Sequence, residues 1–195
     1  MKTIIAITGG IGSGKSVVSD VLRCMGYSVY DSDREAKRLM NTSATLIAKI
    51  TEAFGEESYT DGELNRARMA KIVFDNADAL LCLNHIVHPE VIADFRRYCA
   101  SKVDGAVFLE TAILEESGMD KEVDEVWVVT APEEVRIRRV LSRDKTNVEA
   151  VKQRIRTQKD VDGGKTITND GETAILPQII RLLSVIRQED KGAMC

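Results

Sequence analysis

The sequence predicts an α/β fold, a parallel sheet layered between helices and carrying one long helical insertion. Three observations carry that expectation. The chain opens as an apolar run, a glycine loop, an amphipathic helix and a second apolar run. Residues 34–102 then read as helix almost throughout, far more than a crossover between parallel strands needs. Apolar runs return at Gly105–Glu110 and Glu125–Ala131, and helical sequence closes the chain.

The elements follow in order. Thr3–Ile7 is short, β-branched and ends against glycines, as a central parallel strand does. From Lys15, apolar Val17, Val18, Val21, Leu22 and Met25 recur at helical spacing, and Gly26 supplies the stop. Tyr27–Asp33 reads as a second strand ending in acidic residues, which completes a right-handed βαβ unit. Inside 34–102, breaks are expected at Phe54–Glu63 and at His88–Pro89, where the proline marks a helix boundary. A basic helix over Glu133–Asp144 precedes a polar helix to about Lys159. A short strand within Lys165–Gly171 and a helix over Glu172–Gln188 end the chain, with Pro177 in its first turn or at a kink.

Composition narrows the function. A chain of 195 residues suits one domain with a sizeable insertion. Its net charge of −4 gives no basic field, which argues against nucleic acid as a partner. Cys24, Cys82, Cys99 and Cys195 show no CxxC spacing and read as reduced thiols. The apolar start is too short for a signal peptide, and no run approaches the roughly 20 residues that span a membrane. A cytoplasmic protein without membrane partners, monomeric or a small homo-oligomer, is the expectation.

Gly9-x-x-x-x-Gly14-Lys15-Ser16 fits the P-loop pattern, and it stands between strand and helix as that pattern requires. Glycines let backbone N–H groups curl toward phosphate oxygens, and the helix N-terminus adds a favourable dipole. Lys15 would neutralise the β- and γ-phosphates, and the Ser16 hydroxyl would sit on Mg²⁺.

Switch, motor and kinase share this loop. No guanine-reading NKxD is present, and the one DxxG match, Asp160–Gly163, has no strand before it. No strand closes on a clear Walker-B aspartate. Strand-end acids stand instead at Asp31 and Asp33, where a carboxylate could accept a hydroxyl proton. Aspartates also cap helices. Asp31 stays open between the two roles, and Asp33 leans to the catalytic one. Arg136, Arg139 and Arg143 share a helix face at i, i+3 and i+7, suited to clamping a transferring phosphoryl group as a lid. The alternative is a solvated face paired to Glu133 and Glu134. His85 and His88, at i, i+3, lack an evident third metal ligand and read better as a hinge or acceptor contact.

In this order the residues resemble the dephospho-coenzyme A kinase family. The resemblance rests on Thr8–Ser16 (TGGIGSGKS), Asp31–Asp33 (DSD), Phe54–Gly55, Asp61–Arg66 (DGELNR) and Val73–Phe74. It continues through Leu83–Val91 (LNHIVHPEV), Glu110–Gly118 (ETAILEESG), Arg139, Arg143, Gln158 and Asn169–Gly171 (NDG). It implies a three-layer P-loop fold with a five-stranded parallel sheet, a core of residues 1–33, 103–138 and 166–195, a coenzyme A-binding insert at 34–102 and a lid at 139–165. The implied reaction moves the γ-phosphoryl of MgATP to the ribose 3′-hydroxyl of dephospho-coenzyme A. By the same resemblance Gly9, Gly10, Ile11, Gly12, Ser13, Gly14, Lys15, Ser16 and Val17 hold ATP, with Asn169 and Gly171 bordering its adenine. Asp33 orients or deprotonates the acceptor, and Lys15, Arg139 and Arg143 serve the phosphates. Thr8, Arg66, His88 and Glu116 fall at acceptor positions.

Three departures mark this chain. Ala112 and Glu115 stand where the family has proline and an aromatic residue, the segment from Gln158 to Asn169 is short, with Gly163 and Gly164 in place of an alanine-aspartate pair, and Val17 replaces threonine. Two alternatives remain at this point: a related kinase of a nucleotide or other small acceptor, or a nucleotide-binding switch without turnover. The size of the insert weighs against the first, and the DSD acids with the arginine face against the second.

Overall fold

The computed structural model describes residues 2–74, 76–103, 105–158 and 163–192. Cys195, Lys159 and Asp160, named above, lie outside the described residues. The elements in chain order are β1 (Thr3–Thr8), α1 (Lys15–Cys24), β2 (Ser28–Asp31), α2 (Ser32–Thr42), α3 (Ala44–Phe54), β3 (Tyr59–Thr60) and β4 (Glu63–Leu64). They continue with α4 (Arg66–Phe74), α5 (Ala77–Ala100), β5 (Ala106–Glu110), β6 (Glu125–Thr130), α6 (Glu133–Arg143), α7 (Val148–Thr157), β7 (Lys165–Thr168) and α8 (Ile175–Gly192). The chain divides into two compact units, residues 1–30 with 102–195, and residues 31–101.

The first unit is built on a five-stranded parallel sheet of order β2-β5-β1-β6-β7. The α/β class and parallel five-stranded sheet expected from the sequence are therefore present. β1 lies between β5 and β6, and Ile5, Ala6 and Ile7 are completely buried, as an apolar run without polar alternation requires. Phe108 meets Tyr27 edge-on at 5.4 Å between ring centroids and Trp127 at 5.2 Å. α8 adds Ile179, Leu183 and Ile186, one helical stripe, to this core. The Glu125 carboxylate accepts from Trp127 Nε1 and pairs with Lys165 Nζ at 2.8 Å, which ties β7 to β6.

One helix buries a narrower stripe than its apolar spacing, and one helix start needs correction. In α1 Val18 and Leu22 are buried in the core and half-buried Val21 packs against it, while Val17 and, just past the helix, Met25 stay 47% and 39% exposed. The buried stripe is an i, i+4 ridge narrower than the apolar pattern. α8 begins at Ile175 rather than Glu172. The Asp170 carboxylate accepts from Glu172 N, Thr173 N and the Thr173 hydroxyl, holding those residues in a turn and its own pKa below the usual range. Pro177 stands in the first turn of α8, where its missing N–H breaks no helical bond.

The second unit is helical except for a hairpin. Asp61 and Gly62, at φ 52° and 81°, make the two-residue turn between β3 and β4. The hairpin is fastened to α2 by Tyr59 Oη donating to Met40 O at 2.7 Å and Leu64 N donating to Asn41 Oδ1 at 2.8 Å. The break expected at His88–Pro89 is absent, and α5 runs unbroken from Ala77 to Ala100 with Pro89 inside it. An interior proline costs a helix about 3 kcal/mol. Pro89 and His85, whose carbonyl loses its partner, are both exposed, so water can satisfy that carbonyl. Val87, Val91, Phe95 and Cys99 are buried along the opposite face and hold the helix together.

Candidate active site

β1 ends at Thr8, and the chain turns through six residues onto α1. The turn is possible only with glycine at its ends. Gly9 has φ +140°, and a Cβ there would stand 2.2 Å from Val129 O of β6. Gly14 has φ +96°, and its Cβ would stand 2.0 Å from Asn169 Nδ2. Ser13 N closes the loop on Gly10 O at 3.1 Å. Asp31, Ser43, Asn76 and Asn147 cap α2, α3, α5 and α7 with side-chain oxygens, whereas α1 starts from Gly14 with no side-chain cap. No side chain thus covers the N-terminus of α1, and the helix dipole there is open to an anionic ligand.

The loop carries polar atoms that the chain itself does not satisfy. Thr8 Oγ1 and Ser13 Oγ are buried and have no hydrogen-bond partner among the described residues. Both line a cavity of about 540 Å³ with Gly9 and Gly10. An unpaired buried hydroxyl costs roughly 1–3 kcal/mol, a cost that an anionic oxygen in the cavity would remove. Lys15 Nζ folds back onto Gly9 O at 2.7 Å and Gly10 O at 3.4 Å, which holds its ammonium at the loop.

The loop is gripped by its carbonyls. Arg136 Nε donates to Ile11 O at 2.9 Å. Arg139, one turn later on α6, donates through Nη1 to Gly12 O, Ser13 O and Asn169 O at 3.4, 3.3 and 3.0 Å. Its Nη2 donates to Asn169 Oδ1 at 3.1 Å, and Asn169 Nδ2 donates to Ser13 O at 2.8 Å. Gln158 Oε1 accepts from Ile11 N at 2.6 Å and, more distantly, from Arg136 Nη2 at 3.5 Å. The arginines thus hold the carbonyls of Ile11, Gly12 and Ser13, and Lys15 holds those of Gly9 and Gly10, which keeps the loop backbone in the curled form an anion site needs.

The residues expected at the site divide accordingly. Gly9 to Gly14, Lys15, Arg139 and Asn169 come together. Ser16 and Val17 are exposed in the first turn of α1, and Gly171 is exposed after β7. Asn169, expected at adenine, is buried with both ends of its carboxamide bonded to the loop brace. Arg143 does not reach the loop. It forks onto Asp144 at 2.8 and 3.0 Å, a pairing that raises its own pKa and lowers that of Asp144. Glu116 lines the cavity, and so does Glu115, the residue standing in for an aromatic.

In the second unit Asp31 takes the capping role, its Oδ1 accepting from Arg34 N at 3.0 Å. Asp33, in the first turn of α2, is exposed and has no hydrogen-bond partner among the described residues. Arg66 is exposed at the start of α4. His88 is half-buried in α5; burial and the neighbouring His85 push its pKa down. No third metal ligand joins this pair among the described residues. No helix among them is long and apolar enough to cross a membrane.

Sequence reasoning passed over Arg136 and Gln158 as loop contacts. The arginine spacing signalled a shared face, but nothing local marks a partner 125 positions upstream.

The family model and the curated relatives named here point to one family. The family described as CoaE, dephospho-CoA kinase, matches residues 3–170. A dephospho-CoA kinase of Bacteroides fragilis (strain YCH46) is 39% identical, covering 97% of this chain and 95% of its own. One from Porphyromonas gingivalis is 37% identical with 94% of each chain covered. The solved structure of dephospho-CoA kinase from Campylobacter jejuni is 25% identical, with a TM-score of 0.67 over 99% of this chain and 100% of that one.

Proposed function

The chain belongs to the dephospho-CoA kinase family, and from that premise we propose that it transfers the γ-phosphoryl of ATP to the ribose 3′-hydroxyl of dephospho-CoA, the final step of CoA biosynthesis. The observation that carries the reading is the Gly9–Ser16 loop, with its carbonyls held by Lys15 and by arginine side chains and with buried hydroxyls facing a cavity beside it.

In the proposed reaction the 3′-oxygen forms a bond to the γ-phosphorus while the bond from that phosphorus to the β,γ-bridging oxygen breaks. The electron pair of the broken bond leaves with ADP. Asp33 takes the hydroxyl proton, a role its exposed carboxylate suits. Lys15 exchanges the Gly9 and Gly10 carbonyls for phosphate oxygens, and the first amides of α1 hold the inner phosphates. Arg139 and Asn169 keep the loop in shape, Gly171 lies beside the adenine, and Arg143 reaches the phosphates only after leaving Asp144. Thr8, Glu116, Arg66 and His88 contact the acceptor.

The Ser16 hydroxyl, exposed in the first turn of α1, is a hard oxygen donor of the kind Mg²⁺ takes alongside phosphate oxygens and water. When bound there, the ion would neutralise phosphate charge. The protein would work in the cytoplasm, as a monomer or small homo-oligomer, without nucleic-acid or membrane partners. Light scattering checks the assembly. Incubation with MgATP and a panel of acceptors, following ADP, tests the function. Turnover is expected with dephospho-CoA; turnover with nucleoside monophosphates alone would overturn it.

A further inference from the structure

We propose that the Arg136 guanidinium and the Ile11 amide form a subsite for the terminal phosphoryl group of the nucleotide, which the Gln158 carboxamide occupies until that group displaces it. The proposal rests on the nucleotide reading above and adds a phosphoryl-binding residue to it.

Two donors from separate parts of the chain converge on one atom. Gln158 Oε1 accepts from Ile11 N at 2.6 Å and from Arg136 Nη2 at 3.5 Å. A single oxygen shared by a backbone amide and a guanidinium is in the surroundings a phosphoryl oxygen takes. The carboxamide fills them poorly. A contact of 3.5 Å is the outer limit of a hydrogen bond, while an anionic oxygen draws a guanidinium nitrogen to roughly 2.7–2.9 Å.

The guanidinium is aimed rather than loose. Its Nε is anchored on Ile11 O at 2.9 Å. Gly10 makes room for it, since a Cβ there would stand 2.1 Å from Arg136 Nη2. Arg136 and Gln158 line the same cavity as Thr8 and Ser13, whose buried hydroxyls lack partners among the described residues. Arg139 is committed to the oxygens of Gly12, Ser13 and Asn169, so Arg136 supplies the guanidinium that faces this cavity.

The assignment to the terminal phosphoryl follows from the order of the loop. Ser16 and the start of α1 take the inner phosphates, and Lys15 reaches from these to the γ-phosphate. Ile11 lies before that helix, on the limb of the loop with Gly10, and its subsite serves the phosphate beyond them.

The discriminating measurement is calorimetric binding of ADP and of the non-hydrolysable β,γ-imido analogue of ATP, which needs no acceptor. Arg136→Lys and Arg136→Gln should weaken the analogue at least about 10-fold more than they weaken ADP. Gln158→Ala should tighten the analogue by about 2- to 5-fold, because a tethered competitor is gone, and leave ADP unchanged. Thermal melts of each variant check folding, and Arg136→Lys keeps the charge if Arg136→Gln unfolds. Equal losses for both nucleotides would reduce Arg136 to a loop brace and overturn the subsite, as would a Gln158→Ala variant that binds the analogue less well. Because no acceptor enters, failure with dephospho-CoA as substrate leaves the subsite standing, and loss of the subsite leaves the acceptor assignment standing.

Discussion

Replacing Asn169 by alanine separates two roles for that residue, contact with adenine and support of the phosphate loop. The side chain is buried and makes two bonds, Nδ2 to Ser13 O at 2.8 Å and Oδ1 from Arg139 Nη2 at 3.1 Å. A neutral amide bond contributes about 1 kcal/mol and a bond to a charged donor about 1.5–3 kcal/mol. Ser13 O keeps Arg139 Nη1 at 3.3 Å and is not orphaned, which limits the loss. The expected destabilisation is about 2–3 kcal/mol, or roughly 5–10 °C in Tm for a chain of this size. Urea unfolding followed by Trp127 fluorescence measures it, since Trp127 is the sole tryptophan and is completely buried in the sheet that carries the loop. ATP and GTP should weaken by the same factor. A shift below about 0.5 kcal/mol, or a loss confined to ATP, would refute the bracing argument and return Asn169 to the adenine.

Asp33→Asn should leave ATP affinity nearly intact and lower kcat with dephospho-CoA by at least about 100-fold, as loss of a positioned base does; unchanged kcat removes it from that role. Lys15→Ala should weaken nucleotide binding and turnover together, read by calorimetry and initial rates on the same preparation. His88 titrates below its ordinary 6.5 when folded, first through burial and then through His85. The unfolded chain therefore takes up the proton before the folded one as pH falls through that value. Stability should decline on acidification from pH 7 toward pH 5, and His88→Gln should flatten the decline in urea titrations.

The fold was largely readable because its signals are local. A β-branched run stopped by glycine gave β1, and helical spacing after Lys15 gave α1. Where local rules failed, packing had overridden them. Pro89 stays inside α5 because four buried side chains along the far face outweigh one lost hydrogen bond. Val17 and Met25 share the helical period of Val18 and Leu22 but miss the ridge that docks. The phosphate loop was legible as a motif, and the grip on its carbonyls was not. Arg136, Gln158 and Asn169 meet it from 125 to 156 positions away, and spacing rules carry nothing over such distances. Asp31 was ambiguous in sequence because a strand-end acid and a helix cap occupy the same position; its bond to Arg34 N resolves it toward the cap.

The grip on the loop also sets an order of events during synthesis. A ribosome delivers Gly9 to Ser16 well before their partners, since the strand beside Gly9 and the brace at Ser13 arrive only with Val129 and Asn169. Residues 31–101 form a compact unit of their own, so the contacts within that segment become available while the loop sequence still waits for its partners. Nascent chains stopped before Asn169 should carry the motif without the shape. Retention on immobilised ATP would then separate finished chains from unfinished ones.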